Sequence, residues 1–141
     1  MTNSKPKSKE EEKKEAIFED LADPLDYIEN LLWIKTKDQR VVRLCLNDAQ
    51  RIIYRRIREL EKNKKPIRLI IMKARQEGVS TLCEAISFER AARHENTSAL
   101  IVAHEPESTE EIFAMSKRFY DMLPEWLRPL RRYDNKKQMV F

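Results

Sequence analysis

Between Lys73 and Thr81 the chain reads KARQEGVST, and this stretch gathers the residue types best suited to hold an anion. A phosphate site needs backbone N–H groups converging on one point, a helix N-terminus behind them, a cation, and a hydroxyl for magnesium. The usual spelling of such a loop is GxxxxGK[ST]. Aligned on Gly78 and Ser80, this stretch keeps the second glycine and the hydroxyl. It has Lys73 in place of the first glycine and Val79 in place of the lysine. A lysine moved to the head of the loop still reaches the β/γ-phosphates from the other side. Arg75 adds a guanidinium able to grip a terminal phosphate with two hydrogen bonds. The same residues also suit a plain strand-to-helix turn, with Lys73 and Arg75 solvated and Ser80 serving only as the helix N-cap.

Gly78 is the sole glycine in 141 residues, where ordinary usage of about 7% would supply about ten. So few glycines argue against a β-sandwich with many tight turns and favour helices joined by proline and polar turns. The two cysteines, Cys45 and Cys83, form no CxxC pair and lie among apolar neighbours, which predicts buried structural thiols in a reducing cytoplasm. His94 and His104 have no ligand-like spacing to either cysteine, so a structural zinc is not expected. The lysine-rich start has no apolar core of the kind a signal peptide needs, and no apolar run is long enough to span a membrane. The net charge of +4 is unevenly spread: Arg51 to Arg75 carries ten Lys/Arg against two Glu. Such a block suits nucleic acid or nucleotide phosphates, and equally a solvated helix face.

The elements that must position the loop are legible from periodicity. Residues 1–15 read as a disordered charged tail. Residues 16–46 form a helical lead-in, interrupted near Pro24 and restarting at Asp23, followed by an extended segment from Arg40 to Leu46 rich in β-branched residues. Asn47 opens a helix to about Lys62, with Gln50 three positions on as in a capping box. Ala49, Ile52, Ile53, Ile57 and Leu60 make its apolar stripe, while Arg51, Arg55 and Arg58 lie off it. Gln50 either only closes that capping box or also reads adenine just upstream of the loop.

Ile67 to Met72 (IRLIIM) and Ser98 to Ala103 (SALIVA) read as buried strands, and Thr81 to Arg93 as the helix between them. Together they predict a parallel βαβ unit with a right-handed crossover. Ser108 and Glu111 predict a capping box for a further helix carrying Ile112, Phe113, Phe119, Met122 and Leu123. Pro124 and Pro129 bracket a short segment, and Gln138 to Phe141 begins another strand. His104-Glu105 is not read as the acidic end of a Walker B strand, because histidine stands where the magnesium-holding aspartate belongs. No other apolar run ends in Asp-Glu, so the carboxylate that would activate water is not found in this sequence.

Three stretches taken together resemble the large subunit of tailed-bacteriophage terminases: LNDAQ (Leu46 to Gln50), KARQEGVST (Lys73 to Thr81) and SALIVAHEPESTEEIF (Ser98 to Phe113). The approach from Pro24 to Gln50 is similar as well, so the resemblance runs over about residues 24–141. It implies an α/β fold, a partial P-loop NTPase with a parallel βαβ core preceded by helices. Residues 47–141 would be the N-terminal part of the ATPase domain, ending before Walker B and the nuclease domain.

The same resemblance implies ATP and Mg²⁺ as cofactors, with nucleotide contacts from Gln50, Lys73, Arg75, Gln76, Gly78, Ser80 and Thr81 and magnesium held with the help of Ser80. Arg75 would act in its own subunit or as an arginine finger toward a neighbour. The implied partners are double-stranded viral DNA, the small terminase subunit, the portal protein and further copies in a ring, in the cytoplasm of a bacterial host. Without its carboxylates the chain alone is expected to bind nucleotide weakly and not to turn it over. Two other readings stay open. One is a helicase-like P-loop ATPase, which usually keeps the lysine directly after the loop glycine. The other is a non-catalytic nucleic-acid-binding module using Arg51, Arg55 and Arg58.

Overall fold

The computed structural model describes residues 17, 21–131, 133–134 and 139–140. The charged tail predicted over residues 1–15 lies outside them. The described chain is a mixed α/β structure with four α-helices and short antiparallel strand pairs.

Helix α1 (Pro24–Leu31) starts where the sequence predicts a restart. The Asp23 carboxylate accepts from the Leu25 N–H at 2.7 Å, and Pro24 occupies the first turn, where a missing N–H costs nothing. The helix stops at Leu32, which is extended, so Ile34 belongs to a strand rather than to this helix. β-Branched and aromatic side chains then favour the extended chain. Strand β1 (Trp33–Lys35) pairs antiparallel with β2 (Val41–Arg43), with Trp33 opposite Arg43. The Arg43 guanidinium lies 5.3 Å from the centroid of the Trp33 ring. The turn between the strands is closed by Thr36 N–H to Arg40 O at 2.8 Å and by Gln39, whose φ is +64°.

Helix α2 (Asp48–Lys62) has the predicted capping box in full: Asn47 Oδ1 accepts from Gln50 N–H, and Gln50 Oε1 accepts from Asn47 N–H, both at 2.9 Å. Its buried face is rotated from the predicted one. Tyr54 and Ile57 enter the core, whereas Ile52 is 61% exposed. Glu29 ties this helix to α1, accepting from both the Leu46 N–H (2.9 Å) and the Arg51 guanidinium (2.6 Å).

Helix α3 (Val79–Arg93) packs against α1 and against α4 (Pro106–Met122), and α4 also covers β1. Ile28, Leu32, Leu44, Leu82, Phe88, Phe119 and Leu123 form the centre of the core, with Phe88 and Phe119 edge to face at 5.5 Å. Helix α4 begins earlier than Ser108 and without its capping box. Glu105 is the N-cap with no side-chain hydrogen bond, and Pro106 opens the first turn, where its missing N–H costs nothing. A short 3₁₀ turn (Glu125–Leu127) follows, and β3 (Tyr133–Asp134) pairs antiparallel with β4 (Met139–Val140).

Two expectations fail. IRLIIM and SALIVA are neither buried nor in any ladder: Ile70 is 99% exposed, Leu100 is 88% exposed, and Met72 and Val102 also face outward. Among the described residues no backbone hydrogen bond joins either run to another segment. An apolar run becomes a strand only beside a neighbour about 4.8 Å away, and neither run has one. The cysteines are exposed as well. Cys45 alternates outward between buried Leu44 and Leu46, and Cys83 falls one residue off the stripe that buries Leu82.

Candidate phosphate-binding loop

The loop from Lys73 to Gly78 runs from the exposed end of IRLIIM into the first turn of α3. Gly78 is the N-cap and lies in the left-handed region, with φ +70° and ψ 16°. A Cβ placed there would sit 2.7 Å from Gln50 Nε2 and 3.4 Å from Gln50 Cδ. Glycine is therefore favoured twice, by the backbone angle and by the close approach of the Gln50 side chain. Gln76, two residues earlier, also has a positive φ of 66°.

Val79 is buried and pins the start of the helix to the core, so the position after the glycine faces inward. Ser80 is exposed and Thr81 half-buried. The N–H groups of Val79, Ser80 and Thr81 open the helix and have no intrahelical acceptor. Apart from the tight turn at Arg75–Gln76, no backbone hydrogen bond occupies the N–H groups from Lys73 through Thr81 among the described residues. The first turn of α3 and the loop before it thus present donors and the positive end of a helix dipole.

Two side chains at the start of α2 hold the loop from behind. Gln50, only 4% exposed, donates from Nε2 to the Gly78 carbonyl at 2.7 Å. Asn47 donates from Nδ2 to the Glu77 carbonyl at 3.3 Å. The capping box therefore does two jobs: it starts α2, and it turns the two loop carbonyls inward. Gln50 has both ends of its amide engaged in this arrangement. A third tether comes from the β1–β2 turn, where the Lys37 ammonium donates to the Gln76 side-chain oxygen.

Lys73 and Arg75 are both exposed. Lys73 Nζ reaches only the neighbouring Ala74 carbonyl at 3.3 Å, and neither residue forms an ion pair among the described residues. The residue types suit a polyphosphate: N–H groups and a hydroxyl at the helix start, with two cations lacking ion pairs among the described residues in the loop before it. Ser80 is the side chain in that turn able to face a magnesium ion. Among the described residues no three His, Cys, Asp or Glu side chains are grouped to hold a metal.

The arginines of α2 stand differently. Arg51 is paired with Glu29, and Arg58 with Glu61 at 2.8 Å, while Arg55 donates to the Arg51 carbonyl at 3.4 Å. Arg56 is paired with Glu59 at 2.9 Å. Much of that basic face is thus neutralised by the chain itself. His104 and Glu105 are exposed and 3.6 Å apart at the start of α4.

Sequence reasoning overlooked Asn47 as a tether and Lys37 altogether. Asn47 carried a signal, since a capping-box asparagine has a spare amide N–H₂. Lys37 carried none, because 39 positions separate it from its partner. No family model matches the chain, and no curated protein does.

Proposed function

We propose that this chain is the ATP-binding part of a viral DNA-packaging motor, the terminase large subunit it resembles in sequence. The observation that carries the reading is the loop itself: open N–H donors at a helix start, a glycine whose backbone and close neighbour both disfavour a side chain, and Lys73 and Arg75 without carboxylate partners among the described residues. In this reading Lys73 and Arg75 neutralise the phosphates, and the N–H groups of Gly78 to Thr81 hold their oxygens. Ser80 assists a magnesium ion, which would supply charge neutralisation at the terminal phosphates. Gln50 positions the loop through Gly78.

Ile67–Met72 and Ser98–Ala103 are then the parallel strands of a P-loop core, apolar on both faces because such strands are covered on both. Their open edges and bare side chains are the places where further strands would pair. Double-stranded DNA, the small subunit, the portal protein and a ring of copies are partners of the whole motor. Equilibrium binding of MgATP to the wild-type chain and to Lys73→Ala tests the site. The variant is expected to weaken binding at least about tenfold, the scale of one charge-assisted hydrogen bond to phosphate. Equal affinity in the two proteins would remove Lys73 from the site.

A further inference from the structure

The loop departs from the usual phosphate-binding pattern in lacking a lysine after its glycine, and Val79, which stands there, is buried. No cation can enter from that position without pulling the start of α3 out of the core. The structure brings another lysine to the loop from outside it. Lys37 sits in the β1–β2 turn, closed by the Thr36–Arg40 hydrogen bonds, and its ammonium meets the side-chain oxygen of Gln76. Gln76 is the loop residue with the left-handed backbone just before Glu77 and Gly78, whose carbonyls Asn47 and Gln50 hold.

The Lys37 ammonium also has no carboxylate paired with it among the described residues. Its neighbour Asp38 is taken by Arg40 at 3.2 Å. An ammonium has three N–H donors and Gln76 uses one, so two remain for an anion.

We propose that Lys37 is a phosphate ligand of this loop, delivered by the β1–β2 turn to supply the cation that Val79 cannot. The inference rests on the loop being a nucleotide phosphate site. It adds that the hairpin is part of that site rather than a lead-in to it. The hairpin and loop then close on the phosphates together, with Gln76 holding the ammonium in place until an anion takes up its free donors. The position is specific to charge: a neutral amide in place of the ammonium would still brace Gln76 but would not attract phosphate.

Calorimetric titration of MgATP into the full chain tests this, with Lys37→Gln, Lys37→Arg and Lys73→Ala compared at two salt concentrations and thermal midpoints measured alongside. Lys37→Gln is expected to weaken binding about tenfold and to flatten its salt dependence. Lys37→Arg should restore most of the affinity, and both should melt with the wild type. Wild-type affinity in Lys37→Gln would reduce Lys37 to a brace and overturn the inference while leaving the loop's reading intact. A lower melting point matching the loss of affinity would overturn it equally, as would a failure of Lys37→Arg to recover. No binding by the wild-type chain would instead overturn the nucleotide site itself, and Lys37's role with it.

Discussion

Phe119 and Ile70 both belong to strongly apolar stretches, yet Phe119 is fully buried and Ile70 is almost wholly exposed. The helices α1, α3 and α4 each carry a stripe of apolar residues, and one stripe is covered as soon as another helix lies across it. The runs 67–72 and 98–103 carry apolar residues at successive positions, as a strand covered on both faces would. They need a strand on each edge and a layer on each face before their N–H, C=O and side-chain groups are all satisfied. The helical half of the molecule therefore closes with what the described residues supply. The two apolar runs do not: neither joins a ladder, and the first of them leads uncovered into the loop.

Substitutions separate the two halves. Phe119→Ala removes the ring that meets Phe88 and should cost about 3–5 kcal/mol in chemical denaturation. If that loss stayed under about 1 kcal/mol, the helical core would be as loosely covered as the strands. Gly78→Ala sits at the junction of the halves. The left-handed backbone alone costs about 1–2 kcal/mol for a residue with a Cβ, and Gln50 must also yield. The variant should melt early, with raised hydrogen exchange at the start of α3, and an unchanged melting curve would show that the loop is not held by Gln50.

A third contrast concerns Glu84, buried on α3 against α4. Its carboxyl accepts from the Ser116 hydroxyl through one oxygen, and the other oxygen is buried with no partner among the described residues. Burial pushes its pKa up, and the Ser116 hydrogen bond pulls it only partly back. The folded state thus holds this proton more tightly than the unfolded chain. Its contribution to stability is full below the ordinary glutamate range and is lost as pH rises through the raised value. Glu84→Gln should flatten that decline, so its stability relative to wild type improves from pH 4 to pH 8, and parallel profiles would contradict the burial. The smallest effect is expected at Ile70→Ser, within about 0.5 kcal/mol of wild type, because that side chain touches almost nothing. A loss of 2 kcal/mol there would mean that the run is covered in solution.

Much of the helical half could be read in advance. Asp23-Pro24 started α1 and Asn47 with Gln50 started α2, because capping depends on residues two or three positions apart. The pair Ser108 and Glu111 misled, since Pro106 and the extended Glu105 had already begun α4. Ile52 misled for another reason: periodicity gives the existence of an apolar face, while the neighbours choose how far the helix rolls, and here Tyr54 won the core place. At the loop, Lys73, Arg75 and Gly78 were legible by their types and spacing. Lys37 was not, because a hairpin turn and a helix N-terminus meet only when the chain folds.

Sequence alone determined where α1 and α2 begin, that one glycine stands between an apolar run and a helix, and that cations cluster around it. These depend on neighbours along the chain, which cannot change with folding. Only the tertiary structure decided that Gln50 and Asn47 hold the loop carbonyls, that Val79 faces the core, and that Lys37 reaches Gln76. It also decided that the two most apolar runs stand uncovered. Burial and hydrogen bonding are properties of pairs of segments, and an apolar strand with no second segment beside it remains a strand in composition only.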